Sequence, residues 1–111
     1  MIAVIAAWVV VVLHFAFAFA ETVGWTQMAR RFGYSKEQAD TTRSLALNQG
    51  FYNAGLAAVL GWALATGHSA TVIAMLAYVV AMAIVGAVSV RWTIFVIQGL
   101  PALIALGLAL L

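Results

Sequence analysis

The chain has 111 residues, of which 67% are hydrophobic and 7% charged, with a mean hydropathy of +1.13 and a formal net charge of +2. Too few polar groups are present to cover a water-soluble globule, which argues against an ordinary soluble enzyme and points to a lipid bilayer. Cysteine is absent, which excludes disulfides and thiolate metal sites, and no metal site is expected.

Four stretches are long enough to cross about 30 Å of hydrocarbon at about 1.5 Å per residue. They cover residues 2–20, 45–66, 70–90 and 93–111. None keeps the period-two alternation of a spanning strand over its length. The expected fold is therefore all-α, a membrane-embedded four-helix bundle forming one domain over residues 1–111.

The first span ends in a small-residue pattern, Ala18-Phe19-Ala20, that imitates a signal-peptide cleavage site. Without a basic segment ahead of it, it reads as a span. His14 and Glu21 share a face of this helix, about 10 Å apart along the axis, so each needs partners from other helices. Ionisable groups in or beside a span are functional candidates by default, and here they are expected to make the site pH-dependent.

Residues 22–44 form the long hydrophilic stretch, carrying Arg30, Arg31, Lys36 and Arg43. Ser35 and Gln38 have capping-box spacing after the breaker Gly33, so a helix should start at Lys36 and run into the second span. The rest reads as a solvated connector. Its basic residues are interleaved with acids and are too few for nucleic acid.

The second span opens with Asn48-Gln49-Gly50-Phe51-Tyr52-Asn53. Hydrocarbon cannot satisfy amide donors and acceptors, so Asn48, Gln49, Tyr52 and Asn53 should face protein, a partner or a wet cavity. On a helical wheel they cover an arc of about 140°, wide enough for two neighbours. Gly50, Ala54 and Ala58 form a small-residue stripe suited to close helix packing, and Ala74, Ala77 and Ala81 form another on the third span. That third span reads as scaffold. In the fourth, Gln98-Gly99-Leu100-Pro101 predicts a kink, because Pro101 has no N–H for the Ile97 carbonyl.

All five Lys/Arg side chains fall in the 22–44 loop or at Arg91. The positive-inside rule then places that loop in the cytoplasm and both termini outside the cell membrane. Counted by helical rise from that side, Asn48 and Gln49 lie about 5 Å deep, Gln98 about 8 Å, and His14, Tyr52 and Asn53 about 10 to 12 Å. Together with Glu21 at the boundary, they describe a polar pocket in the cytoplasmic half.

These residues resemble a known family. Glu21 with Gly24-Trp25, the string Leu45-Ala46-Leu47-Asn48-Gln49-Gly50-Phe51-Tyr52-Asn53 with Leu56-Ala57-Ala58, and Gln98-Gly99-Leu100-Pro101-Ala102 are similar to the small membrane proteins grouped as domain of unknown function family 1304. The likeness covers nearly the whole chain. It implies four spans and these shared polar positions, and brings no established activity or cofactor. Members often carry an acidic residue just before the first-helix histidine, where this chain has Leu13.

The expected function is a small oligomeric transporter or proton-coupled carrier, by analogy with small multidrug-resistance proteins, whose first-helix glutamate is replaced here by histidine. Two alternatives stand beside it: a membrane-embedded enzyme or lipid- or quinone-binding module, and a structural accessory subunit. No nucleophile elbow, zinc-protease motif or phosphate loop is present, so no catalytic residue is assigned. A homo-oligomer is expected, with a small molecule or lipid as ligand, because four short helices enclose little space.

Overall fold

The computed structural model describes residues 1–111 and is entirely helical. Helix α1 covers Ile2–Glu21, α2 Trp25–Arg31, α3 Lys36–Thr66 and α4 Ser69–Ser89. A π-helical turn at Phe95–Gly99 then leads into α5, Leu100–Leu110. The molecule is a rod of 46 × 25 × 17 Å.

Each boundary has a local cause. No glycine or proline interrupts residues 2–21; the helix ends where Thr22 turns its hydroxyl back onto the Ala18 carbonyl at 2.7 Å. At Gly33, φ is +80°, a left-handed conformation that glycine adopts without a steric penalty. The capping box then forms as the spacing predicts. Ser35 Oγ accepts from the Gln38 amide at 3.1 Å, and the Ser35 amide donates to Gln38 Oε1 at 2.9 Å. Gly67, with φ +74°, reverses the chain into α4.

Two features depart from the sequence reading. The stretch before Gly33 is the short helix α2, where a solvated connector was expected. It is held because the Trp25 indole N–H donates to the Ala39 carbonyl at 3.1 Å, and Trp25 and Ala29 bury against Ala39 and Ala46 of α3. Ahead of Pro101 the irregularity takes the form of a wide turn, in which the Leu100 amide donates to the Phe95 carbonyl five residues back. Such a turn holds one residue more than an α turn. Gly99 permits it: a Cβ there would lie 2.6 Å from Phe95 and 2.8 Å from Ala83.

Packing is uneven around the bundle. Helix α1 lies against α3 along its length and against α5, and α4 packs on the π turn and α5, while α3 and α4 meet thinly. The packed face of α3 is Ala46, Gly50, Asn53, Ala57 and Gly61. Of the anticipated stripe, Gly50 is buried, Ala54 is half-buried and Ala58 is exposed, because helical phase carries the seam with α1 along steps of three and four. Ala74, Ala77 and Ala81 are exposed. The main core joins Val10 and Val11 of α1, Leu60 of α3, Leu76 and Val79 of α4, and Ala102 and Ala105 of α5.

Two helices, Ile2–Glu21 and Ser69–Ser89, are long and apolar enough to cross a membrane, and they suggest a membrane protein. The apolar stretch Phe95–Leu110 is shorter, and α3 is diluted by its charged first turns and its amides.

Candidate functional site

Two polar pairs tie α1 to its neighbours. His14 is fully buried. Its Nδ1–H donates to the Val10 carbonyl at 2.8 Å, which leaves Nε2 as an acceptor, and Gln98 Nε2 donates to it at 3.3 Å. With the amide in that orientation, the ring is the neutral Nδ1–H tautomer. Phe17 stands edge-on to the ring at 5.3 Å. About two turns further along α1, Asn53 Nδ2 donates to Glu21 Oε1.

Glycine makes the second pair reachable. A Cβ on Gly50 would lie 2.5 Å from Thr22 Cγ2 and 3.1 Å from the Ala18 carbonyl, so α1 and α3 approach closely only with no side chain there. That approach lets the short Asn53 side chain reach a carboxylate at the end of α1.

The other face of α3 borders an open cleft of about 790 Å³ between α3 and α4. Asn48, Gln49, Tyr52, Asn53 and Gln98 line its polar end. Leu56 and Val59 of α3 and Met75 and Val79 of α4 line the rest, with Phe51, Tyr78 and Met82 completing the walls. From Asn48 to Val59 the groove runs about 16 Å by helical rise. No charged side chain lines it.

The seven candidate residues therefore fall into an ordered arrangement. Five border the groove directly. His14 stands behind it through Gln98, and Glu21 behind it through Asn53. Tyr52 is 68% exposed, and Asn48 and Gln49 are exposed too, so the wide arc of polar groups serves one packed neighbour and one open cleft.

The α4 wall was read as scaffold. Met75, Tyr78, Val79 and Met82 follow the i, i+3, i+4, i+7 pattern of one helix face. Tyr78, the one polar side chain between Thr71 and Ser89, is the signal for that face. Away from the groove, the His68 ring stacks on Trp62 with centroids 4.9 Å apart.

Fold and site together define a small all-α protein with an uncharged, laterally open groove backed by two part-buried polar pairs. The chain belongs to the DUF1304 family, proteins of unknown function, whose family model matches residues 8–110. No curated protein and no solved structure matches the chain.

Proposed function

We propose that the chain is a single-domain, four-span integral membrane protein whose α3–α4 groove takes a neutral amphipathic molecule from the bilayer. The observation that carries this reading is the groove itself, with amides and a phenol at one end, aliphatic and thioether side chains along the other, and no charge on its walls. A quinone-like or neutral lipid head would exchange hydrogen bonds with Asn48, Gln49, Asn53 and Gln98, while its chain lies on Leu56, Val59 and Met75. Mostly apolar pockets with a few placed polar groups are the usual form of small-molecule sites.

A membrane setting accounts for the exterior. Only 22 of the 111 residues are buried, and Ile5, Val12, Phe19, Phe51, Val88 and Ile104 are among the many large apolar side chains left outside. In water such a surface would aggregate; in lipid it is the solvated face. The 46 Å length matches a bilayer of about 40–45 Å including headgroups. Helices α1, α3, α4 and the π turn with α5 supply the four spans, with the α2 end cytoplasmic and both termini outside.

The experiment is to purify the protein in mild detergent, extract it and identify retained small molecules by mass spectrometry. A stoichiometric neutral amphipath, lost from Asn53→Ala and Gln98→Ala, is the expected result; an empty extract after reloading with a neutral lipid mixture would sink the reading. The chain has no cysteine, so single cysteines at Lys36 and Leu111 test sidedness with an impermeant reagent in intact cells. Labelling at position 36 but not 111 overturns the orientation.

A second reading, proton-coupled carriage, is favoured by the Glu21–Asn53 and His14–Gln98 pairs, since each titratable group touches a residue of the groove wall. It predicts gradient-dependent flux in proteoliposomes, whereas a binding module or enzyme needs no gradient. The open side of the groove and the exposed Ala74, Ala77 and Ala81 favour a second copy completing the wall; native mass spectrometry reads that directly.

A further inference from the structure

The α2 end of the rod carries a second concavity, separate from the α3–α4 groove. It has a volume of about 380 Å³ and lies between α2, the Gly33 turn and the first turns of α3. Three cations line it, Arg30 from α2 and Lys36 and Arg43 from α3, against one carboxylate, Asp40. The balance is positive, although the neighbouring groove carries no charge at all.

The hydroxyls around it are committed in a particular way. Thr26 Oγ accepts from Arg43 Nη2 at 3.0 Å, which uses a lone pair and leaves the O–H to donate elsewhere. Ser35 Oγ accepts from the Gln38 amide, so its proton is free in the same sense. The Tyr34 phenol also lines the pocket. Asp40 approaches the same Nη2 of Arg43 at 3.5 Å, so Thr26 and Asp40 share one amino group of the guanidinium. N–H and O–H donors thus line one small volume, with Asp40 the one carboxylate among them.

The walls are held in place. The buried Trp25 indole anchors α2 to the Ala39 carbonyl, and Tyr34 packs edge-on to Trp25 at 6.1 Å. The positive φ of Gly33 and the capping box set the turn between them. The backbone that carries the donors is therefore fixed, which lowers the cost of ordering the exposed Arg30 and Lys36 side chains on an anion.

We propose that this pocket is a binding site for a phosphate group, held by Arg30, Lys36 and Arg43 with Ser35, Thr26 and Tyr34 as hydroxyl donors. Phosphate suits it because tetrahedral oxygens accept from several directions at once, and guanidinium donates two parallel bonds to them. The phosphate comes either from a lipid headgroup, since the pocket lies at the end of the rod where headgroups sit if α1 and α4 cross the membrane, or from a soluble phosphate compound. The site does not depend on the groove or on what the groove holds.

The test uses the full chain in mild detergent with two probes. Native mass spectrometry after exposure to an equal mixture of phosphatidic acid and phosphatidylcholine measures which lipid is retained; titration calorimetry with inorganic phosphate measures the free anion. We expect selective retention of phosphatidic acid or saturable phosphate binding, weakened about tenfold in Arg30→Gln and in Lys36→Gln, the scale of one charge-assisted hydrogen bond. Arg31→Gln removes the same charge one residue away, outside the pocket, and should leave binding unchanged. Retention of the lipid alone identifies a headgroup site; binding of inorganic phosphate at equal strength identifies a soluble ligand. An equal loss in Arg31→Gln and Arg30→Gln would mean diffuse attraction and overturn the proposal. So would failure of the wild type to favour either anion.

Discussion

Helix α3 presents two faces that do opposite things with similar residues. Toward α1 it offers Ala46, Gly50, Asn53, Ala57 and Gly61, and the helices close so tightly that Gly50 leaves no room for a methyl group. Toward α4 it offers Asn48, Gln49, Tyr52 and Val59, and the helices stand apart around a cleft of about 790 Å³. Polarity does not separate the faces, since amides occur on both. Size does: where glycine and alanine line the seam, the one amide is drawn onto a carboxylate, and where larger side chains prop the helices apart, the amides stay free for a ligand.

The largest effect should come from filling the seam. Gly50→Val forces α1 and α3 apart, at a cost of about 1–3 kcal/mol or more for overpacking. Thermal unfolding in detergent followed by circular dichroism should show a clear drop in midpoint. An unchanged midpoint would mean that the two helices do not touch there.

Next is the polar link across the seam. Asn53→Leu strands the Glu21 carboxylate without its donor and should cost about 1–3 kcal/mol. Glu21→Leu combined with Asn53→Leu should cost less than the two singles summed, because each single change already removes the shared bond. Strict additivity would show the pair to be uncoupled.

Substitutions on the open face sharpen the contrast. Gln49→Ala and Tyr52→Phe alter exposed side chains and should leave stability within about 0.5 kcal/mol. Ligand retention should nonetheless fall several-fold. A variant that lost stability and kept its ligand would reverse the roles assigned to the two faces.

The smallest expected effect is a pH dependence. Protonation at Nε2 turns His14 from an acceptor into a donor, so Gln98 must rotate its amide and present oxygen to the ring. Its NH₂ group then turns away from the ring. Ligand occupancy should change by a few-fold between pH 5 and 8 in the wild type and be flat in His14→Gln. A flat wild-type profile would leave His14 as a packing residue.

Much of this contrast is legible in the chain before folding. The Ser35 to Gln38 spacing and Gly33 predict where α3 begins, and the family resemblance rests on the same amide string that later lines the groove. Helical phase alone puts Asn53 away from Tyr52, but not which neighbour each meets. That depends on Gly50 admitting α1, a contact between residues about thirty positions apart in the chain. Helix α2 was hidden because its stability comes from one indole reaching Ala39, and a seven-residue segment has little intrinsic helical signal. The π turn was half visible: Pro101 announces a backbone fault, but its form depends on Gly99 fitting against Ala83 of α4.

That wide turn also divides the C-terminal helical stretch. Pro101 has no N–H for the Ile97 carbonyl, and five residues form a π turn just before it, so the α-helical ladder is interrupted at the level of Gln98. Beyond it Ala102 and Ala105 are buried in the main core, so any loosening is confined to the turn that carries Gln98 beside His14. Amide deuterium uptake should therefore enter this segment before the buried turns of α1 or α3. The groove's polar end thus rests in part on a backbone irregularity, and the place of Gln98 is set by that turn as well as by its own rotamer.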